Sequence, residues 1–113
     1  YADYRWGAGE PSRPTYSQAE IAAAVEAAHS AGREVAAHAS TDEGMRRAIL
    51  AGVDTIEHGY GGSAETFALM KKHGVGYCPT LAASDATARY RGWNGVDPMP
   101  ESVRQSREAF ARA

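Results

Sequence analysis

The stretches Val35-Ala36-Ala37-His38 and Thr55-Ile56-Glu57-His58 decide the fold of this chain, because each is a short apolar segment that ends in histidine. Each follows a helix-like stretch closed by a glycine, Gly32 in the first case and Gly52 in the second. The order helix, glycine, strand, histidine therefore occurs twice. This repeat predicts parallel strands that bring both imidazoles to one carboxyl edge of a sheet, where α/β proteins bind their ligands.

The rest of the chain follows the same order of elements. Capping boxes at Ser17 to Glu20 and Ser40 to Glu43 mark two helix starts, and Ser63 marks a third. Glycines 32, 52 and 74 close these helices. Such repeated units favour a parallel sheet with covering helices. The predicted elements are a helix over 18–31, a strand over 34–38, a helix from Ser40 to Gly52, a strand over 53–58, a helix from Ser63 to Gly74, a strand over 75–80 and a helix from Pro100 to the end.

Two long segments flank the predicted strands on the histidine edge, Tyr1 to Tyr16 and the residues after Thr80. A loop of about twenty residues, as after Thr80, is uncommon without a binding role. We therefore expect the loops on this edge to contact a substrate, although ordinary loop packing or a subunit contact would explain the same composition. The candidate substrate-binding residues are Tyr4, Arg5, Tyr60, Thr80, Arg89, Tyr90 and Trp93.

A sheet of three or four parallel strands leaves unpaired backbone groups at both edges. Eight βα units close into a barrel that has no edges. We therefore expect an α/β fold that is part of a (β/α)8 TIM barrel, and we expect residues 1–113 to be a fragment of one barrel domain. The ends agree with this interpretation, because the chain opens without Met and stops inside a helix-like run.

The four histidines divide into two pairs. His29 and His73 lie in the last turns of predicted helices, where an imidazole favours the helix dipole, so we expect structural roles. His38 and His58 end strands, where a buried polar side chain needs a partner. Both could be core histidines with hydrogen bonds, but two at matching strand ends indicate metal ligands. A catalytic zinc takes three protein ligands, so the remaining ligands should lie outside this chain.

Three other polar residues on or near the strands have predicted structural roles. Strand alternation predicts that Glu57 points away from His58 and toward the helices. Asp54 lies at the other end of the same strand, so we expect it to stabilise the fold. Cys78 is predicted to be a small core residue.

Composition excludes several classes of protein. The 113 residues carry a net charge of −2 without a basic cluster, which argues against nucleic acid as a partner. No apolar run approaches the ~20 residues that span a bilayer, so no membrane partner is expected. One cysteine excludes an internal disulfide and favours a reducing, cytoplasmic location.

Three segments resemble the amidohydrolase superfamily: Ala37-His38-Ala39, Ala51 to Gly59, and Tyr77-Cys78-Pro79-Thr80-Leu81. They are most similar to its imidazolonepropionase-like and prolidase-like branch of metal-dependent C–N hydrolases. The resemblance implies a metal-binding barrel in which His38 and His58 are the strand-five and strand-six metal ligands and Thr80 ends strand seven. The chain would then run from the end of βα unit 4 through the helix after strand 7.

The resemblance also implies a function. The intact enzyme would hydrolyse an amide, peptide-like or cyclic amide bond with zinc or another divalent metal, using one or two ions, and would be a homo-oligomer with a small-molecule or peptide-like substrate. No catalytic residue is expected in this segment, because Asp85 and Asp97 do not match the strand-eight aspartate. The His-x-His of strand one and the strand-four lysine are absent as well. Two alternatives remain open: an inactive truncated fragment or interaction module, and a metal-free barrel enzyme with histidine acid/base groups.

Overall fold

A computed structural model describes all residues from 1 to 113 as an α/β arrangement in which a parallel sheet is covered by helices. A short antiparallel pair precedes this sheet, and two further helices follow it. None of the helices combines the length and the apolar character that crossing a bilayer requires. In chain order the elements are β1 (Asp3–Tyr4), β2 (Arg13–Pro14), α1 (Gln18–Ser30), β3 (Ala36–Ala39), α2 (Asp42–Leu50), β4 (Thr55–His58), α3 (Ala64–His73), β5 (Gly76–Cys78), α4 (Leu81–Tyr90) and α5 (Glu101–Arg112).

The main sheet has the strand order β3-β4-β5, and both pairings are parallel. The prediction of repeated βα units with parallel strands is therefore confirmed. Ala37 is in register with Ile56, and both are buried in one core with Met45 and Ile49 of α2 and Phe67 of α3. The helices thus cover the face of the sheet that carries Ala37 and Ile56.

The opposite face of the sheet is open in this chain. Its residues are small or polar and are exposed or half-buried, from Ala36 and Thr55 to Gly76. Parallel sheets are normally covered on both faces. Here the chain itself covers only one face, and the three strands do not close on themselves.

The open face corrects two predictions. Glu57 does not point toward the helices: it is in register with His38 and Cys78, and its carboxylate accepts a 3.0 Å hydrogen bond from the Thr55 hydroxyl. Ile56 takes the helix-covered position instead, because its side chain is the apolar one. Cys78 is an exposed residue and not a core residue. A hydrogen bond to Glu57, together with desolvation, raises the pKa of its thiol.

Two of the three predicted helix starts are confirmed. Ser17 and Glu20 form a capping box, and the Ser63 hydroxyl accepts the Thr66 N–H. The second box is wrong, because Thr41 and not Ser40 caps α2, with its hydroxyl accepting the Gly44 N–H at 3.0 Å. The backbone N–H of Ser40 is bonded elsewhere, and the helix begins one residue later than predicted.

The predicted twenty-residue loop after Thr80 is also wrong, because α4 occupies its first half. Ser84 and Ala88, one turn apart, are buried on one side of this helix. The Ser84 hydroxyl lies 2.7 Å from that of Ser106 in α5. The small residues Ser84 and Ala88, four positions apart, are the pattern in the sequence that indicates this helix.

A tertiary contact ties the amino end of β4 to α1. The Asp54 carboxylate accepts hydrogen bonds from His29 Nε2 at 2.8 Å and from the Val35 N–H at 2.7 Å. These bonds lower the pKa of Asp54, with the bond from His29 as the largest cause. Structural roles for Asp54 and His29 are therefore what the structure shows.

We predict that Asp54→Asn lowers the melting temperature at neutral pH. A depressed carboxylate pKa stabilises the fold above its unfolded value of about 3.9, and this contribution disappears as the pH falls through the lower folded value. Thermal melting at neutral and strongly acidic pH should therefore show a difference between the proteins that shrinks in acid. Glu26→Gln, which removes the same charge from an exposed side chain of α1, is the control and should melt like the original chain. Equal melting of Asp54→Asn and the original chain at neutral pH would contradict the prediction.

Candidate metal centre

The two strand-end histidines lie side by side. The ring centroids of His38 and His58 are 4.6 Å apart, and the rings meet edge to face at 70°. His38 is the second-last residue of β3 and His58 is the last residue of β4, so both lie at the same edge of the sheet. The sequence-based expectation that these imidazoles converge agrees with this geometry, whereas their binding of a metal stays a prediction.

The position of the His58 ring depends on an unusual backbone conformation. His58 is in register with Ala39, so regular alternation would direct its side chain to the helix-covered face, where Ala39 is fully buried. Instead His58 has a φ of 75°, in the left-handed region that costs a non-glycine residue about 1–2 kcal/mol. This turn at the strand end brings the ring to the side of His38.

Hydrogen bonds hold His58 in that conformation. Its Nδ1 lies 2.7 Å from the Thr80 hydroxyl, which in turn lies 2.9 Å from the Tyr60 hydroxyl. The Tyr77 hydroxyl donates to the His58 carbonyl oxygen at 2.9 Å. Thr80 has a left-handed φ of 47° itself. Two strained residues therefore support each other, as is common at functional sites.

His38 is packed between the His58 ring and the ring of Tyr1, whose centroid is 4.5 Å away. Burial lowers the pKa of His38, and the neighbouring His58 lowers it further. Both effects favour the neutral imidazole, which is the form that binds metal ions. The side chain is still 27% exposed, so the ring can be reached from solvent.

These two residues fit part of a metal site. The Nε2 of His58 makes no hydrogen bond within the chain, and neither does either nitrogen of His38, whose Nε2 faces Asp3 Oδ1 at 3.6 Å. His38 Nδ1 and His58 Nε2 are therefore available to a ligand. No group of three or more His, Cys, Asp or Glu side chains could enclose an ion. The chain thus offers two imidazole ligands where a catalytic zinc takes three protein ligands.

The structure separates the predicted substrate-binding residues into two groups. Tyr60 and Thr80 contact His58 directly or through each other. Tyr4 joins an aromatic group with Tyr1 and Trp6, next to His38.

The other four predicted residues do not contact either histidine. Arg89 stacks on the Trp93 ring at 5.5 Å, and the Trp93 Nε1–H donates to the Val96 carbonyl. Tyr90 is 93% exposed at the end of α4. Arg5 is exposed as well. A substrate role for these four residues stays a prediction.

Sequence analysis missed one residue of the site, Asp3. Its carboxylate lies 3.6 Å from His38 Nε2 and is fully buried. Its hydrogen-bond partners, Ser40 and Thr41, are 37 and 38 residues away along the chain, so no local pattern marks it. The one local signal is that Asp3 lies among the aromatic residues Tyr1, Tyr4 and Trp6.

Comparison with known proteins identifies the family. The Amidohydrolase family matches residues 4–112, which is almost the whole chain. The chain therefore belongs to the amidohydrolase family. An uncharacterized protein of Mycobacterium tuberculosis strain H37Rv is 38% identical over 84 residues, which is 68% of this chain and 23% of that protein.

Solved structures give the same result. A Xaa-Pro dipeptidase is 37% identical with a TM-score of 0.70 over 88% of this chain and 27% of its own length. A prolidase complexed with N-methylphosphonate-L-proline is also 37% identical, with a TM-score of 0.67 over 88% of this chain and 24% of its own. This chain therefore spans about a quarter of the length of the proteins that it matches.

We predict that Thr80→Val destabilises the fold by about 1–3 kcal/mol, since it removes two hydrogen bonds that are each worth about 0.5–1.5 kcal/mol. Valine keeps the branched shape but cannot bond His58 Nδ1 or the Tyr60 hydroxyl. Urea denaturation measures the change in the free energy of unfolding. Thr80→Ser keeps the hydroxyl and should unfold close to the original chain. Equal destabilisation by both substitutions would show that the hydroxyl is not what holds His58.

Proposed function

We propose that this chain is the segment of a metal-dependent amidohydrolase barrel that supplies two imidazole ligands and part of the substrate-binding wall. The intact enzyme hydrolyses a C–N bond of a peptide-like substrate. The observation that carries the proposal is the 4.6 Å approach of the His38 and His58 rings at the carboxyl edge of adjacent parallel strands.

The uncovered parts of the sheet support a place in a (β/α)8 barrel. Helices cover one face of the parallel sheet and leave the other open, as in a barrel whose helices form the outer ring and whose strands face inward. An apolar depression of about 450 Å³ beside β3 is lined by residues such as Ile21, Val35 and Val53. A preceding strand and helix of the same barrel would fill this depression. Residues 1–113 are thus proposed to extend from the end of βα unit 4 through the helix after strand 7.

The free nitrogens indicate how the two histidines would hold an ion. His38 would bind through Nδ1 and His58 through Nε2, because Nε2 of the first faces Asp3 and Nδ1 of the second bonds Thr80. A divalent ion held by these two residues would supply Lewis-acid chemistry, activating water and polarising a scissile carbonyl. The lowered pKa of His38 keeps its ring in the binding form. Thr80 and Tyr60 fix the orientation of His58.

The substrate class that we propose is a dipeptide with proline at its carboxyl end. The names of two similar structures, a Xaa-Pro dipeptidase and a prolidase, support this choice. The aromatic group of Tyr1, Tyr4 and Trp6 borders His38 and offers an apolar wall for a side chain of the substrate. The Tyr60 hydroxyl adds a polar group on the other side of the histidine pair.

We predict that His38→Asn and His58→Asn, made in the intact enzyme that contains this chain, each weaken metal binding by about 100-fold or more. Even groups that only orient a metal ligand are worth about 10–100-fold in affinity, so loss of a ligand should cost at least as much. Metal analysis of the purified proteins and hydrolysis of a panel of Xaa-Pro dipeptides measure the effects. His73→Asn, at the end of α3, is the matched control and should keep both metal and activity.

Other results would favour the alternatives. Hydrolysis that survives complete metal removal, but is lost in both histidine variants, would indicate a metal-free enzyme with histidine acid/base groups. Full metal content without hydrolysis of any amide would favour a non-catalytic protein. Unchanged metal content in both variants would contradict the proposed ligands.

A further inference from the structure

Asp3 is a carboxylate buried beside the histidine pair. Its exposed fraction is 0%, although a buried charge is costly unless it is well bonded. One oxygen, Oδ2, accepts three hydrogen bonds: from the Ser40 N–H at 2.7 Å, the Thr41 N–H at 2.6 Å and the Thr41 hydroxyl at 2.8 Å. These donors all belong to the turn between β3 and α2. They fix the carboxylate in one orientation.

The second oxygen of Asp3 is different. Oδ1 is buried and has no hydrogen-bond partner. The polar atom that it faces is His38 Nε2, at 3.6 Å. This distance is longer than a hydrogen bond, but a small rotation of the imidazole would shorten it to one. An unpartnered buried oxygen beside a ring N–H position therefore favours a proton on that nitrogen.

The neighbouring backbone leaves Asp3 little freedom. A Cβ at residue 44 would collide with Asp3 Oδ2, so glycine at this position makes room for the carboxylate. The Ala2 N–H donates to the His38 carbonyl oxygen at 2.8 Å, which fixes the chain just before Asp3. The backbone hydrogen bond between Ala2 and His38 thus fixes the position of both the Asp3 carboxylate and the His38 imidazole.

We propose that Asp3 is a positioning residue that holds neutral His38 in the tautomer with its proton on Nε2. This tautomer leaves the lone pair on Nδ1, the nitrogen that has no partner in the chain. Only the last step, in which that lone pair binds a metal, rests on the proposed function. Ligating histidines commonly donate their other N–H to a carboxylate in this way.

Asp3→Asn provides a test because the amide can sit in only one sensible orientation. The three donors around Oδ2 require the amide oxygen at that position. The NH2 group must then occupy the Oδ1 position and donate toward His38 Nε2. The variant should therefore move the His38 proton from Nε2 to Nδ1 and block the nitrogen proposed for the metal.

The first experiment measures the His38 tautomer by imidazole ¹⁵N chemical shifts in the metal-free chain of 113 residues, at a pH well above the pKa of imidazole. His38→Asn assigns the signals. The original chain should show a proton on Nε2, and Asp3→Asn should show it on Nδ1. A proton on Nδ1 in the original chain overturns the proposal without any Asp3 variant, and so does an unchanged tautomer in Asp3→Asn.

The second experiment measures zinc affinity by chelator competition in the intact enzyme. Asp3→Asn should weaken binding by about 10–100-fold. Asp42→Asn is the matched control, because Asp42 is the first residue of α2, directly after the turn, but accepts a hydrogen bond from the Ser63 N–H and does not contact His38. Equal losses in both variants would assign Asp3 a structural role and overturn the proposal. Failure of zinc to bind the unmodified enzyme would contradict the proposed function and leave the tautomer result standing.

Discussion

The left-handed backbone at His58 is the constraint on which the candidate site depends. Regular alternation along β4 places Ile56 under the helices and Glu57 on the open face, so the next residue would face the helices again. A φ of 75° interrupts this alternation at the last residue of the strand. The ring of His58 then lies against that of His38, 4.6 Å away. Without this interruption the two imidazoles would lie on opposite sides of the sheet.

The surrounding packing explains how the chain tolerates this strain. The segment from Gly59 to Gly62 follows His58, and a side chain at either of these two glycines would collide with the core. Gly59 approaches Tyr77, whose hydroxyl bonds the His58 carbonyl, and Gly62 approaches Phe67. The absence of side chains at Gly59 and Gly62 therefore lets this segment pack closely against the core as the chain turns away from the end of β4.

The site joins two kinds of support. On one side, the Thr80 hydroxyl, in the loop after β5, bonds the imidazole of His58, and the Tyr60 hydroxyl, in the loop after β4, bonds Thr80 in turn. On the other side, the N-terminal segment places Tyr1 and Asp3 against His38. Both histidines thus keep one nitrogen engaged or directed within the protein and the other one free. The chain belongs to the amidohydrolase family, and in the proposed barrel these nitrogens would bind an ion together with ligands from other strands.

The sequence by itself determined the order of elements from α1 to β5 and the pairing of His38 with His58, because helix caps, closing glycines and apolar strands are local patterns. It also identified the family through short phrases around those histidines. Tertiary structure decided which face Glu57 occupies. The positive φ of His58 interrupts the alternation of side chains between these two residues, and no local pattern predicts it. It likewise decided that α4 forms and that Asp3 belongs to the site. Both depend on partners far along the chain: α4 packs against Ser106, and the Asp3 carboxylate is bonded by Thr41. Such contacts stabilise these residues only once the chain has folded.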